Sequence, residues 1–222
     1  MLFEKFWEIT GLAAVDAVNP CTLVVQALLL AALTVTKGKR GALLGGMLFT
    51  ATVYVMYFLY GIGILTALNL FGIGEIIHII LKALLVIMII MEFYAVISYK
   101  PGFRSLEMPM KLRPIAKKVL QSVENPLMAI PVAVLCSLLL LPCSSMPYFT
   151  GIMLIHQFKN PVEKTIALAY YNVIFVLPMI AITLLISYGM SPERVMKWRE
   201  KNIRKLHLIA GLLLLAVLIM VW

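Results

Sequence analysis

The chain has 222 residues, 63% of them hydrophobic and only 13% charged, with a net charge of +9. A mean hydropathy of +1.01 and about half the usual share of charged residues exclude a soluble domain. The basic excess sits in short segments between long apolar runs rather than on one face, so no nucleic-acid partner is expected, and the lack of short alternating strands excludes an outer-membrane barrel.

The first apolar run, residues 9–36, is interrupted only by Asp16 and exceeds the roughly 20 residues that cross a bilayer. It follows Glu4 and Glu8 rather than a basic stretch and has no small-residue cleavage site, so it reads as a retained span, not a removed signal peptide. Within it stands Asn19-Pro20-Cys21-Thr22. Asn is a favoured N-cap and Pro a favoured first helical residue, which puts Cys21 in the first turn of a new helix. Such a break is costly in lipid, where freed backbone groups find no other partner. The positive end of a helix also stabilises a thiolate, the nucleophile of thiol–disulfide exchange.

Lys37, Lys39 and Arg40 close this run, and the next covers residues 41–73. Gly41-x-x-x-Gly45 followed by Gly46 predicts a close helix contact, and Gly61-x-Gly63 is expected to loosen this span near its outer end. A third run, residues 76–99, holds Lys82 and Glu92, ten residues apart and too far for an intrahelical pair; they are expected to reach for the interfaces or for other helices. The segment 100–125 carries six basic residues and Pro101, Pro109 and Pro114, and residues 114–120 have the alternation of a helix lying in the membrane surface.

The fourth run, residues 125–158, contains Leu141-Pro142-Cys143-Ser144, with Pro147 expected to prolong a second break. Spans over residues 165–188 and 206–222 complete the set, joined by Arg194, Lys197, Arg199, Lys201, Arg204 and Lys205. Fifteen of the nineteen basic residues thus fall between spans one and two, three and four, or five and six. The positive-inside rule places those segments in the cytoplasm and both termini outside it, in a multi-pass protein of the cell membrane.

The expected fold is an all-α membrane protein of six transmembrane helices, one domain over residues 1–222. Cys21 and Cys143 lie 122 residues apart and occupy matching places in spans one and four. Each half, about residues 1–100 and 125–222 with a cytoplasmic loop between, has an odd number of spans. The halves therefore read as two inverted three-helix repeats with broken first and fourth helices. Cys21 lies 15 residues after Phe6 and 16 before Lys37; Cys143 lies 19 after Glu124 and 16 before Lys159. At ~1.5 Å per residue both thiols come near mid-bilayer.

Two Pro-Cys steps in such a setting suggest a buried redox pair. Cys136, seven residues before Cys143 and without a preceding proline, reads as a structural thiol, and no Cys-x-x-Cys occurs. His78, His156 and His207 have no ligand spacing, so neither metal nor cofactor is expected, and the fourteen methionines read as packing. Asp16 has two readings: a group that takes up or releases a proton during exchange, or a hydrogen-bonded structural carboxylate.

Pro20-Cys21 and Pro142-Cys143 in the first and fourth spans, with the span count and topology, resemble the CcdA family and the transmembrane domain of DsbD over most of the chain. That resemblance implies an electron carrier moving reducing equivalents from cytoplasmic thioredoxin to extracytoplasmic thioredoxin-like proteins, in support of cytochrome c maturation. It implies Cys21 and Cys143 as the redox-active pair, with Asn19, Pro20, Pro142 and Pro147 shaping the breaks. Many members have a proline a few residues after the first cysteine; Thr22-Leu23-Val24-Val25 has none, whereas Pro147 supplies one in the second half. The competing readings are a small-solute or metal-ion exporter of the same architecture and a structural membrane subunit.

Overall fold

The computed structural model describes the backbone of residues 2–18, 20–71, 74–98, 118 and 123–221, and the side chains of residues 5–18, 24–70, 79–98, 118, 123–138 and 146–219. Helices α1 (Leu2–Ala17), α2 (Pro20–Phe71), α3 (Gly74–Ile97), α4 (Ala129–His156), α5 (Pro161–Ser187) and α6 (Pro192–Val221) make up nearly all of it, with a 3-10 turn, Pro126–Met128, leading into α4. No strand occurs among the described residues.

Local chemistry sets the ends. Asn160 Oδ1 accepts from Val162 N at 3.0 Å with Pro161 at the first helical position, and Asn125 does the same for Leu127 N at 3.4 Å. After α5 the chain turns at Gly189, with φ 119. There Met190 N donates to Leu185 O and Gly189 N to Ile186 O, both at 3.0 Å, the pair of bonds that closes many helix C-termini.

Helix α2 is a hairpin, not a rod. Gly38 has φ 66 and ψ −169, a conformation almost closed to residues with a Cβ. Beyond it the two arms run back along each other. Gln26 Nε2 lies 3.4 Å from Gly46 O, and a Cβ on Gly46 or Gly45 would stand 2.7 Å from Leu30 Cδ2 or 2.3 Å from Leu33 Cδ1. The turn falls among Lys37, Lys39 and Arg40, where the charge pattern ends a span, and the expected glycine contact face is present.

The helices pair across the two halves of the chain. α2 packs most extensively on α5 and then on α4; α3 packs on α6, and α1 lies against α4, α5 and α6. A continuous apolar core runs through the bundle, with Leu12, Leu30, Phe49, Leu85, Ile155 and Leu214 all inaccessible. The outer faces are apolar too: Leu59, Leu70, Ile79, Ile90, Ile97, Leu177 and Ile219 are all exposed. Apolar side chains both inside and outside are what a lipid solvent selects. Four helical segments, Val24–Leu70, Ile79–Ile97, Pro161–Ser187 and Pro192–Ile219, are long and apolar enough to cross a membrane among the described residues. The chain is an all-helical membrane protein.

One sequence expectation changes. The first helix is interrupted between Ala17 and Pro20, as its sequence predicts, but the backbone of α4 is helical from Ala129 to His156, straight through Pro142. The difference lies in the residue before the proline. Asn19 is a capping residue type, whereas Leu141 offers no side-chain acceptor with which to begin a new helix. Gly61 admits neighbours to its helix: a Cβ there would meet Leu168 Cδ1 at 2.5 Å and the Tyr148 hydroxyl at 2.7 Å, while Gly63 has nothing within 4 Å.

Candidate functional site

Polar groups gather where α1 ends. Asp16, in the last turn of α1, is fully buried, and Tyr171 of α5 donates its hydroxyl to Asp16 Oδ2 at 3.3 Å. The Tyr171 ring stands edge-on to Tyr148 of α4, centroids 5.5 Å apart, and Tyr148 stands edge-on to Tyr57 of α2 at 5.2 Å. Tyr57 in turn stacks on Phe175 at 4.7 Å. Edge-to-face and offset stacking at these separations adds to the stabilisation from burial.

Helix geometry brings these rings together. Tyr171 and Phe175 are one helical turn apart and share a face of α5. Gly151 leaves room for that face against α4, since a Cβ there would sit 2.5 Å from Tyr171 Cε2. Tyr148 donates its hydroxyl to the carbonyl of Tyr57, and the side chain of Asn172 and the backbone of Gly61 lie beside it. The result is a buried carboxylate and three tyrosines drawn from four helices. In lipid such groups are costly to bury and mark functional sites by default.

A second polar knot ties the hairpin to α5. Gln26 Nε2 donates to Thr183 Oγ1 at 2.6 Å, Thr50 Oγ1 donates to Gly46 O at 2.8 Å, and Thr183 Oγ1 to Met179 O at 2.8 Å. The absence of a side chain at Gly46 is what permits this, because a Cβ would come within 2.6 Å of Thr183 Cγ2. A third pair joins α3 to α6: His207 Nδ1 donates to Glu92 Oε2 at 2.7 Å with both side chains buried.

Of the residues nominated from sequence, Asp16 is buried and hydrogen-bonded, Pro147 is buried in α4, and Pro20 opens α2 with Cys21 second in that helix. The backbone of Pro142 and Cys143 belongs to α4. The side chains of Pro20, Cys21, Pro142 and Cys143, all of Asn19, and the expected surface helix at residues 114–120 apart from Lys118 lie outside the described residues. Cys136 is a free, buried thiol in the core, as read from sequence. Among the described residues no group of three or more His, Cys, Asp or Glu side chains stands close enough to hold a metal ion.

Sequence reasoning missed Tyr57, Tyr148, Tyr171, Gln26 and the Glu92–His207 pair. A usable signal was spacing: Gln26 and Tyr148 each stand five residues after a Pro-Cys cysteine. Comparison with family models, curated proteins and solved structures gives no match.

Proposed function

We propose that the chain is a six-span carrier of reducing equivalents in the cell membrane, working by thiol–disulfide exchange at Cys21 and Cys143. The observation that carries this reading is the helix interruption between Ala17 and Pro20, which makes Cys21 the second residue of a helix beginning in an apolar bundle. Unpaired N–H groups and the positive end of the dipole at such a start favour the thiolate.

Six spans follow if α1 with the first arm of α2 counts as one, the second arm as another, and α3, α4, α5 and α6 as four more. Contacts of α2 with α5 and of α3 with α6 join spans two and three to their counterparts in the other half, while α1 lies against α4, α5 and α6 alike and the first arm of α2 also meets α5 through Gln26 and Thr183. The α2–α5 and α3–α6 contacts are the ones that support two inverted repeats related by a two-fold axis in the membrane plane. Cationic segments at residues 37–40, 100–118 and 194–205 orient the chain with both termini outside the cytoplasm.

In the proposed cycle a thiolate of reduced cytoplasmic thioredoxin attacks one sulfur of a Cys21–Cys143 disulfide. The other cysteine leaves as a thiolate and takes up a proton. The second thiol of thioredoxin then displaces the bound cysteine, so thioredoxin is oxidised to its disulfide and the membrane pair gains two electrons and two protons. The reverse exchange on the outer face reduces a thioredoxin-like protein there, with cytochrome c maturation as the downstream use that the CcdA resemblance suggests. Since thiols cannot exchange across ~30 Å of hydrocarbon, the same pair is presented to each side in turn. Asp16, five residues before Cys21, serves as the proton acceptor and donor.

Alkylation of the oxidised and reduced protein, read by peptide mass spectrometry, tests this reading. A Cys21–Cys143 disulfide that opens on addition of reduced thioredoxin is expected. Two cysteines that never join under oxidising conditions would sink it, and full solute transport by a double Cys→Ser variant would favour the exporter.

A further inference from the structure

At the end of the bundle marked by the basic turn of α2 and the start of α6, an apolar groove of about 420 Å³ opens between the end of α1, the second half of α5 and α6. Ala17 and Val18 form one wall, Pro178 and Leu185 another, and Val195 and Trp198 a third. Its volume falls within the ~300–1,000 Å³ of ligand pockets, and space with such walls does not hold water.

One cation lines it and a second stands close by. Arg194 lines the groove with its side chain exposed, and Lys39 Nζ comes 3.5 Å from the position a Cβ on Gly189 would occupy, next to the lining residue Met190. Neither Arg194 nor Lys39 is in an ion pair among the described residues. Glu193, the acid adjoining Arg194, is itself exposed, and Lys197 follows one turn on. Trp198 beside them is the residue type that settles at the level of lipid headgroups.

We propose that this groove binds an anionic phospholipid, one acyl chain lying in the slot and the phosphate between Arg194 and Lys39. Charge complementarity selects this occupant. A zwitterionic lipid brings no net charge to match the two cations, an apolar segment of protein brings none at all, and a soluble anion leaves the slot empty. Basic pockets between helices near a membrane face recognise anionic headgroups in this way, each cation contributing about fivefold in affinity. The inference stands apart from the redox reading, since it uses neither cysteine.

The test uses the full chain in nanodiscs with Trp7→Phe and Trp222→Phe, leaving Trp198 as the reporter. Brominated phosphatidylglycerol is expected to quench Trp198 at about one-fifth or less of the mole fraction that brominated phosphatidylcholine requires. Arg194→Gln or Lys39→Gln should each shrink that preference severalfold. Ala181 also lines the groove, so Ala181→Phe, which fills the slot and keeps both cations, should abolish it. Equal quenching by the two lipids, as when the protein's own chain covers the groove, overturns the proposal. So does a preference unchanged by both charge variants, one retained in full by Ala181→Phe, or one erased by inorganic phosphate alone.

Discussion

His207 and Glu92 meet at 2.7 Å inside the bundle, the one on α6 and the other on α3, and neither side chain is more than 5% exposed. Two polar groups that would be expensive to leave in hydrocarbon satisfy each other there. Replacing either one takes the Nδ1–Oε2 hydrogen bond away from its buried partner. Glu92→Leu and His207→Leu should each destabilise the protein, and the double variant should be less unstable than the sum. The coupling expected from a double-mutant cycle of thermal unfolding is about 1–2 kcal/mol, the upper range for polar contacts between membrane helices.

Gly38 has open space around it, with nothing within 4 Å of the point where a Cβ would stand, yet its φ of 66 and ψ of −169 exclude ordinary residues. Strain alone therefore sets the cost of Gly38→Ala, at about 1–3 kcal/mol of unfolding free energy. Asn, which tolerates left-handed helical dihedrals but not these, should give no rescue. Equal stability of all three proteins would show that the hairpin turns elsewhere.

Asp16→Asn keeps an acceptor for the Tyr171 hydroxyl and so should keep the fold. If Asp16 carries the proton of the exchange, the same variant should slow thioredoxin oxidation by about 10²-fold. Tyr171→Phe should instead cost about 0.5–1.5 kcal/mol of stability with a lesser effect on rate. An unchanged exchange rate in Asp16→Asn would make the carboxylate purely structural.

Cys136 is a free, buried thiol in the core, and Cys136→Ala should leave exchange intact. Cys143→Ala, given a thioredoxin that lacks its resolving cysteine and carries its other cysteine as a disulfide with a small aromatic thiol, should displace that thiol and hold a Cys21–thioredoxin mixed disulfide, visible on a non-reducing gel. Exchange lost with Cys136 would refute the assigned pair.

What the sequence made legible was whatever depends on charge or on local backbone rules. The turn near Lys37, the interruption before Pro20 and the glycine face at Gly45 and Gly46 are of that kind. The Glu92–His207 pair and the tyrosines around Asp16 were not legible, because each depends on how one helix is rotated against another. In a soluble helix the apolar stripe reveals that rotation, but here both faces are apolar and the stripe vanishes. Pro142 misled because a proline inside a helix removes one hydrogen bond without ending the helix, unless a capping residue stands before it.

The cross-half pairing also dictates an order of events during synthesis. Asp16 with Tyr171, Gln26 with Thr183 and Glu92 with His207 are 155, 157 and 115 residues apart. Each joins a polar side chain made early to one made late, so none of these bonds can close while only the first half has left the ribosome. The growing protein must hold three awkward polar groups in or near the membrane until its second half arrives to meet them. Separately expressed halves should accordingly be poor substrates for stable insertion and recover when supplied together, each acting as the other's chaperone.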